Sequence, residues 1–354
     1  MISETEPQKT RFDAPDILRG LAVVCMIFSN IAGESLNAPH PFVLRIFGSL
    51  AAPFFVFLSG YMLSYAYEKY GDSLGYFLKR GLFLIGLSSA IDIFFWKSFP
   101  MLAMDVLYLI GLSTVLMYWL LRRSTFSRFI ILSCAVLAAP ALQYIFGYEN
   151  SNNYVNLYIN EKFNSGFSPD YAVILKRWMI DGWFPFFPWI SFSLLGTVVY
   201  DRQRNSEYSE DRVYYYIASF IGLLGILIWD FEPKLEIRDG YTELFYPPTV
   251  SYFLCYFGLV LVIFQWVSGR TFGLSMSLFR MLGRGSLFYY VLHFACIIFY
   301  ISPLLKSWGR KFSIGEYLLA VLCVIGVSFV FSFLLDWIRK KYPNMPFLLK
   351  MFIG

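Results

Sequence analysis

A helix that crosses a bilayer needs about 20 consecutive apolar residues, because no water is present there to satisfy a broken backbone. This sequence meets that length repeatedly from one end to the other. The runs fall at 15–33, 51–68, 80–97, 101–121, 126–146, 183–200, 212–230, 247–267, 284–301 and 315–337. They predict an all-α, polytopic integral membrane protein of about ten transmembrane helices. Composition agrees: 58% of residues are hydrophobic and only 15% charged, where a soluble domain would carry about a quarter charged.

One transmembrane domain is expected over 15–338, with a short tail before it at 1–14 and another after it at 339–354. The opening "MISETEPQKTRFDAPD" is polar and acidic, unlike a cleaved signal peptide, and reads as a cytosolic tail. The polar connections 147–182 and 231–246 interrupt the apolar pattern, and the first reads as a cap over one membrane face. With the N-terminus inside, 18 of the 29 Lys and Arg residues fall on inner segments and 10 on outer ones, Arg19 lying within the first span. That bias predicts both termini in the cytosol and both long connections outside. A net charge of +5 without a basic cluster gives no reason to expect nucleic acid as a partner. The five cysteines lie inside apolar runs without a CxxC pair and read as buried free thiols. With two histidines and no Cys/His cluster, no metal site is expected.

Ionisable side chains inside a span cost roughly 2.5–3.5 kcal/mol each on insertion scales, so they draw attention to function. In "RFDAPDILRGLAVVCMIFSN", Asp16 and Arg19 stand three residues apart, on one helix face. They can pair to fix the helix end, or Arg19 can grip a phosphate with its bidentate fork. Asp92 and Asp105 flank a short outer turn, where Asp105 serves either as a helix cap or as a functional carboxylate. His293 lies mid-span in "GRGSLFYYVLHFACIIFY", as a packing residue or a working one, and Arg284 precedes it near the inner end.

His40 differs from these. It stands between Pro39 and Pro41 in a short outer loop, so its backbone is stiff and non-helical. Imidazole is the usual general base near neutral pH. A loop position also predicts that its removal costs little packing energy.

Several stretches, taken in order, resemble the bacterial relatives of heparan-α-glucosaminide N-acetyltransferase, within the transmembrane acyltransferase superfamily. "DILRGLAVVCMIFSN" is similar to that family's first-helix signature and "APFFVFLSG" to its second-helix motif. "DVLYLIGLS" matches a third, with Tyr108 where the family usually has Gln. "WFPFFPWISFSLLG", "YPPTVSYFLCYFG" and "LGRGSLFYYVLHF" resemble three more. Two departures stand out: Ser49 replaces the usual Asp or His four residues before Pro53, and Asn30 stands where the bacterial branch often has His.

The resemblance implies an acyltransferase that takes acetyl-CoA from the cytosol and modifies an amino or hydroxyl group of a sugar or glycan across the membrane. It implies His40 as the catalytic base, with Asn30, Asp105 or His293 orienting it or stabilising the oxyanion. The phosphates of CoA would be held by Arg19 and Arg284, with Asp16 beside them and Arg80 or Arg122 assisting. The implied setting is a bacterial cytoplasmic membrane, with the bilayer, acyl-CoA and the acceptor as partners and room for a homo-oligomer. A transporter or conduit, or an inactive relative, is the alternative; no inverted repeat supports the former.

Overall fold

The computed structural model describes residues 13–102, 104–148, 171–205, 212–231, 243–268, 270 and 274–354. Among the described residues there is no β-strand. Helix α1 (Asp13–Ser35) is apolar on every face from Gly20 to Phe28, and Leu18, Ala22, Val23, Cys25, Ile27, Ile31 and Ala32 are all inaccessible. A stretch that is hydrophobic all round belongs in an interior, and α1 is the helix around which the others gather. It packs against α2 (Phe42–Gly48), α3 (Ala51–Tyr70), α10 (Val250–Ser268), α11 (Leu274–Arg284), α12 (Ser286–Cys296) and α14 (Ile314–Lys341).

The remaining helices join as pairs: α4 (Leu74–Ile91) with α5 (Val106–Leu120), and α6 (Thr125–Phe146) with α8 (Phe186–Asn205). Helix α9 (Arg212–Trp229) lies on α10. The short α7 (Tyr171–Lys176) leads into a π-helical turn before α8, and the pair is bent by 47°. Helix α12 runs through a π-helical turn into α13 (Ser302–Trp308), and α15 (Phe347–Ile353) follows α14.

Among the described residues, seven helices are long and apolar enough to cross a membrane, or eight if the bent pair counts as one span. This measure supports a polytopic all-α membrane protein and does not confirm the expected count of about ten. Helix α5, apolar but only 15 residues long, is too short to qualify. The outer surface is oily: Phe220, Leu223 and Leu227 of α9 and Leu322, Val330 and Phe333 of α14 are exposed, as lipid-facing side chains are. Cys134 and Cys323 lie on that surface, contrary to the expectation that all five thiols are buried.

Glycines set how closely the helices approach. A Cβ on Gly60 of α3 would meet the Ser193 carbonyl oxygen of α8 at 1.8 Å, and one on Gly196 would meet that of Phe57 at 2.1 Å. Gly283 of α11 plays the same part against α1, where a Cβ would lie 1.7 Å from the Asp16 carbonyl oxygen. That contact matters below, because Arg284 is the next residue.

The expected cap over 147–182 lies mostly outside the described residues; its described end forms α7 and the π-helical turn. The connection 231–246 is described from Glu243 onward.

Candidate functional site

Two polar clusters lie at opposite ends of α1. At its start, Asp16 is nearly inaccessible and is ion-paired with two arginines, Arg19 at 3.5 Å and Arg284 at 3.6 Å. Arg19 reaches it from one turn along the same helix. Arg284 reaches it because the Gly283 contact draws the end of α11 against α1. Both arginine side chains keep partial access to solvent, so two cations converge on a buried carboxylate, one at each oxygen. Such a pair suits a phosphate, which can accept from both forks at once. Helical spacing alone pairs Asp16 with Arg19, and the fold adds Arg284 from a distant segment.

Arg80 and Arg122 do not join this cluster through any recorded contact. Arg122 makes a bidentate contact with Asp72, at 2.8 and 2.6 Å, and clasps the α3–α4 turn to the end of α5. That contact holds the Asp72 carboxyl below its usual range. Arg80 bonds Tyr76 within its own helix at 3.3 Å.

The second cluster lies towards the other end of α1. Asn30 Nδ2 is 2.8 Å from His293 Nε2, so residues 263 positions apart meet in the interior. His293 is buried on α12, and its Nδ1 faces the Tyr289 carbonyl oxygen at 3.2 Å. A carbonyl only accepts, so Nδ1 carries the proton and Nε2 accepts from Asn30. One turn before His293, Tyr290 donates to Asp105 at 2.5 Å, and Asp105 also caps α5 by accepting from the Val106 N–H at 2.6 Å. The capping reading of Asp105 is thus seen directly, with one oxygen on the α5 N-terminus and the other on Tyr290 of α12. Tyr108, in the place of the family glutamine, donates to Asp92 at 2.6 Å.

His40 is buried, only 7% exposed, although it lies on the link between α1 and α2. The expectation that it packs little is therefore corrected. Its ring makes polar contacts with the backbones of Ala32 and Leu36, over the last turns of α1 that also carry Asn30. Nε2 is buried without a hydrogen-bond partner among the described residues. Burial pushes its pKa below the ordinary 6.5, and the nearby cations Arg45 and Lys311 push the same way. The ring is neutral at physiological pH with a free lone pair, the state a general base requires. No recorded hydrogen bond joins Nε2 to Asn30 or His293.

Sequence reasoning missed Glu243. It accepts a hydrogen bond from Ser29, the neighbour of Asn30, and its charge faces Arg45. Its position in a polar connection carries no helical periodicity that could have marked it. Among the described residues no cluster of His, Cys, Asp and Glu could hold a metal ion.

The family model for heparan-alpha-glucosaminide N-acetyltransferase, catalytic, matches residues 11–229. The match takes in His40, Asn30 and Asp105 and ends before His293, Arg284 and Glu243. No curated protein matches the chain.

Proposed function

The chain belongs to the heparan-alpha-glucosaminide N-acetyltransferase catalytic family, and we propose that it moves an acetyl group from cytosolic acetyl-CoA to an amino or hydroxyl group of a sugar or glycan on the far side of a bacterial cytoplasmic membrane. What supports this reading best is the placing of two unlike sites on one helix. Asp16 with its two arginines and the Asn30–His293 pair are 14 residues apart on α1, a rise of about 21 Å at about 1.5 Å per residue. An extended pantetheine arm is of that length. Phosphates held at Arg19 and Arg284 would let the thioester reach Asn30.

In this reading the acceptor N–H or O–H attacks the thioester carbonyl while Nε2 of His40 takes its proton. The tetrahedral oxyanion receives a hydrogen bond from Asn30, whose amide His293 keeps in place. The carbon–sulfur bond then breaks, and the CoA thiolate leaves and is protonated. Asp105, through Tyr290, holds the helix that carries His293. Arg122, tied to Asp72 on the surface, takes no part.

The test is ligand-dependent melting of the purified protein. Acetyl-CoA and CoA should raise the melting temperature, and a nucleotide lacking the pantetheine arm should do so less. A chain that acetyl-CoA leaves unstabilised, and that releases no CoA with any of a panel of amino sugars and glycans, is not the proposed enzyme.

A further inference from the structure

Ser49 replaces a residue that the family usually supplies as Asp or His, and the structure gives that position a different task. The Ser49 hydroxyl donates to the Arg45 carbonyl oxygen at 2.7 Å and accepts from the Leu244 N–H at 2.7 Å. Its own carbonyl oxygen accepts from the Tyr252 hydroxyl at 2.9 Å, and that of Ile46 accepts from Tyr256 at 3.0 Å. The break between α2 and α3 is thereby stapled to α10 and to the segment that begins at Glu243.

This staple delivers a carboxylate. With Leu244 fixed on Ser49, the Glu243 side chain reaches back to Ser29 on α1. Ser29 is 3% exposed and has the α2 end directly against it, since a Cβ on Gly48 would lie 2.9 Å from its Oγ. The charge opposite Glu243 is Arg45, whose backbone N–H closes the first turn of α2 on the Pro41 carbonyl oxygen at 3.1 Å. Pro41 follows His40 directly. The charge of Arg45 acts on both Glu243 and His40.

We propose that Glu243 is a positioning residue for His40: bonded to Ser29 and facing Arg45, it holds α2 against α1 and offsets the arginine charge beside the imidazole. The carboxylate missing from position 49 thus comes from another segment of the chain. This inference rests on the reading of His40 as the base. The charged groups around His40 are Arg45 from α2, Lys311 from the link before α14 and Glu34 at the end of α1, whose backbone oxygen accepts from Lys311 and whose side chain accepts from Ser302 at 2.7 Å. Lys311 and Glu34 stay in place when Glu243 is changed.

With only two histidines in the chain, the experiment can watch His40 itself. The full-length protein, isotope-labelled at histidine and held in lipid nanodiscs, is titrated by NMR, with His40→Ala assigning the two signals. Glu243→Gln keeps an acceptor for Ser29 and removes the charge. It should lower the His40 midpoint by about half a pH unit, since the negative charge that offsets Arg45 is lost. The His293 signal should not move. Arg45→Gln should raise the midpoint, and the double variant should return it towards the parent. Glu243→Asp should recover part of the parent midpoint. Should Glu243→Gln fail to fold, Arg45→Gln alone still carries the test. An unchanged His40 midpoint in either folded single variant overturns the proposal. Failure of the base assignment reads differently: His40→Ala would then keep its turnover, whatever the titrations show.

Discussion

Asn30 of α1 and His293 of α12 meet through a 2.8 Å hydrogen bond whose direction is set by the Tyr289 carbonyl on the other side of the ring. Replacing Asn30 by Leu leaves Nε2 of a buried imidazole without its donor. An unsatisfied buried polar group costs about 1–3 kcal/mol, so the melting temperature should fall. Turnover should fall by more than the fraction unfolded explains. Asn30→Leu with parental melting and parental turnover would show that the bond serves neither purpose.

The arginines at the start of α1 make a comparative prediction. In the proposed reading Arg284→Ala removes one charge-assisted contact to a phosphate of the donor, worth about 1.5–3 kcal/mol, so acetyl-CoA affinity should weaken at least about tenfold. Arg122→Ala breaks an exposed pair and should leave that affinity alone. Isothermal calorimetry on the two variants separates them, and equal losses, or none, would move the donor site elsewhere.

Close helix contact gives a prediction about folding alone. Gly60→Ala puts a methyl group 1.8 Å from the Ser193 carbonyl oxygen, where only backbone could yield. Overpacking of that kind costs about 1–3 kcal/mol or more, and thermal unfolding in detergent should show it. Gly75→Ala, at a position with nothing within 4 Å, is the control.

Much of this was legible in the sequence, for physical reasons. Apolar runs report helices because the bilayer demands length and internal hydrogen bonding, and each expected run contains a helix. Asp16 and Arg19 were legible as a pair because helical spacing is local. The link between Asp16 and Arg284, like that between Asn30 and His293, depends on packing between distant segments, which no local pattern encodes. Glu243 was hidden most deeply, since its partner Ser29 lies 214 positions away and its own segment has no period. The burial of His40 was misread because two prolines mark a loop without saying what covers it.

Acid should act on the protein through His40. Its pKa is depressed by burial, with Arg45 and Lys311 adding to the effect. Above the ordinary 6.5 both folded and unfolded chains hold it neutral, and its contribution to stability is constant. As pH falls below 6.5 the unfolded chain takes up the proton first, so stability declines until the folded pKa is passed. The acid limb of turnover should lie below pH 6.5, where the buried base finally protonates. Melting and rate followed from pH 8 to pH 4 test both, and an acid limb above 6.5 would exclude His40 as the group observed.

CoA release is the most direct measurement of the central claim, that Nε2 of His40 takes the acceptor's proton. The parent and His40→Ala are purified in parallel, matched for acetyl-CoA binding, and assayed with an acceptor that the parent uses. Removal of a general base typically lowers rate about 10²–10⁴-fold, so His40→Ala should lose turnover on that scale while its donor affinity stays within about twofold of the parent. Because His40 is buried, some loss of melting temperature is expected as well, and the comparison is made below the onset of unfolding. A folded His40→Ala protein that transfers acetyl groups at the parental rate would contradict the account.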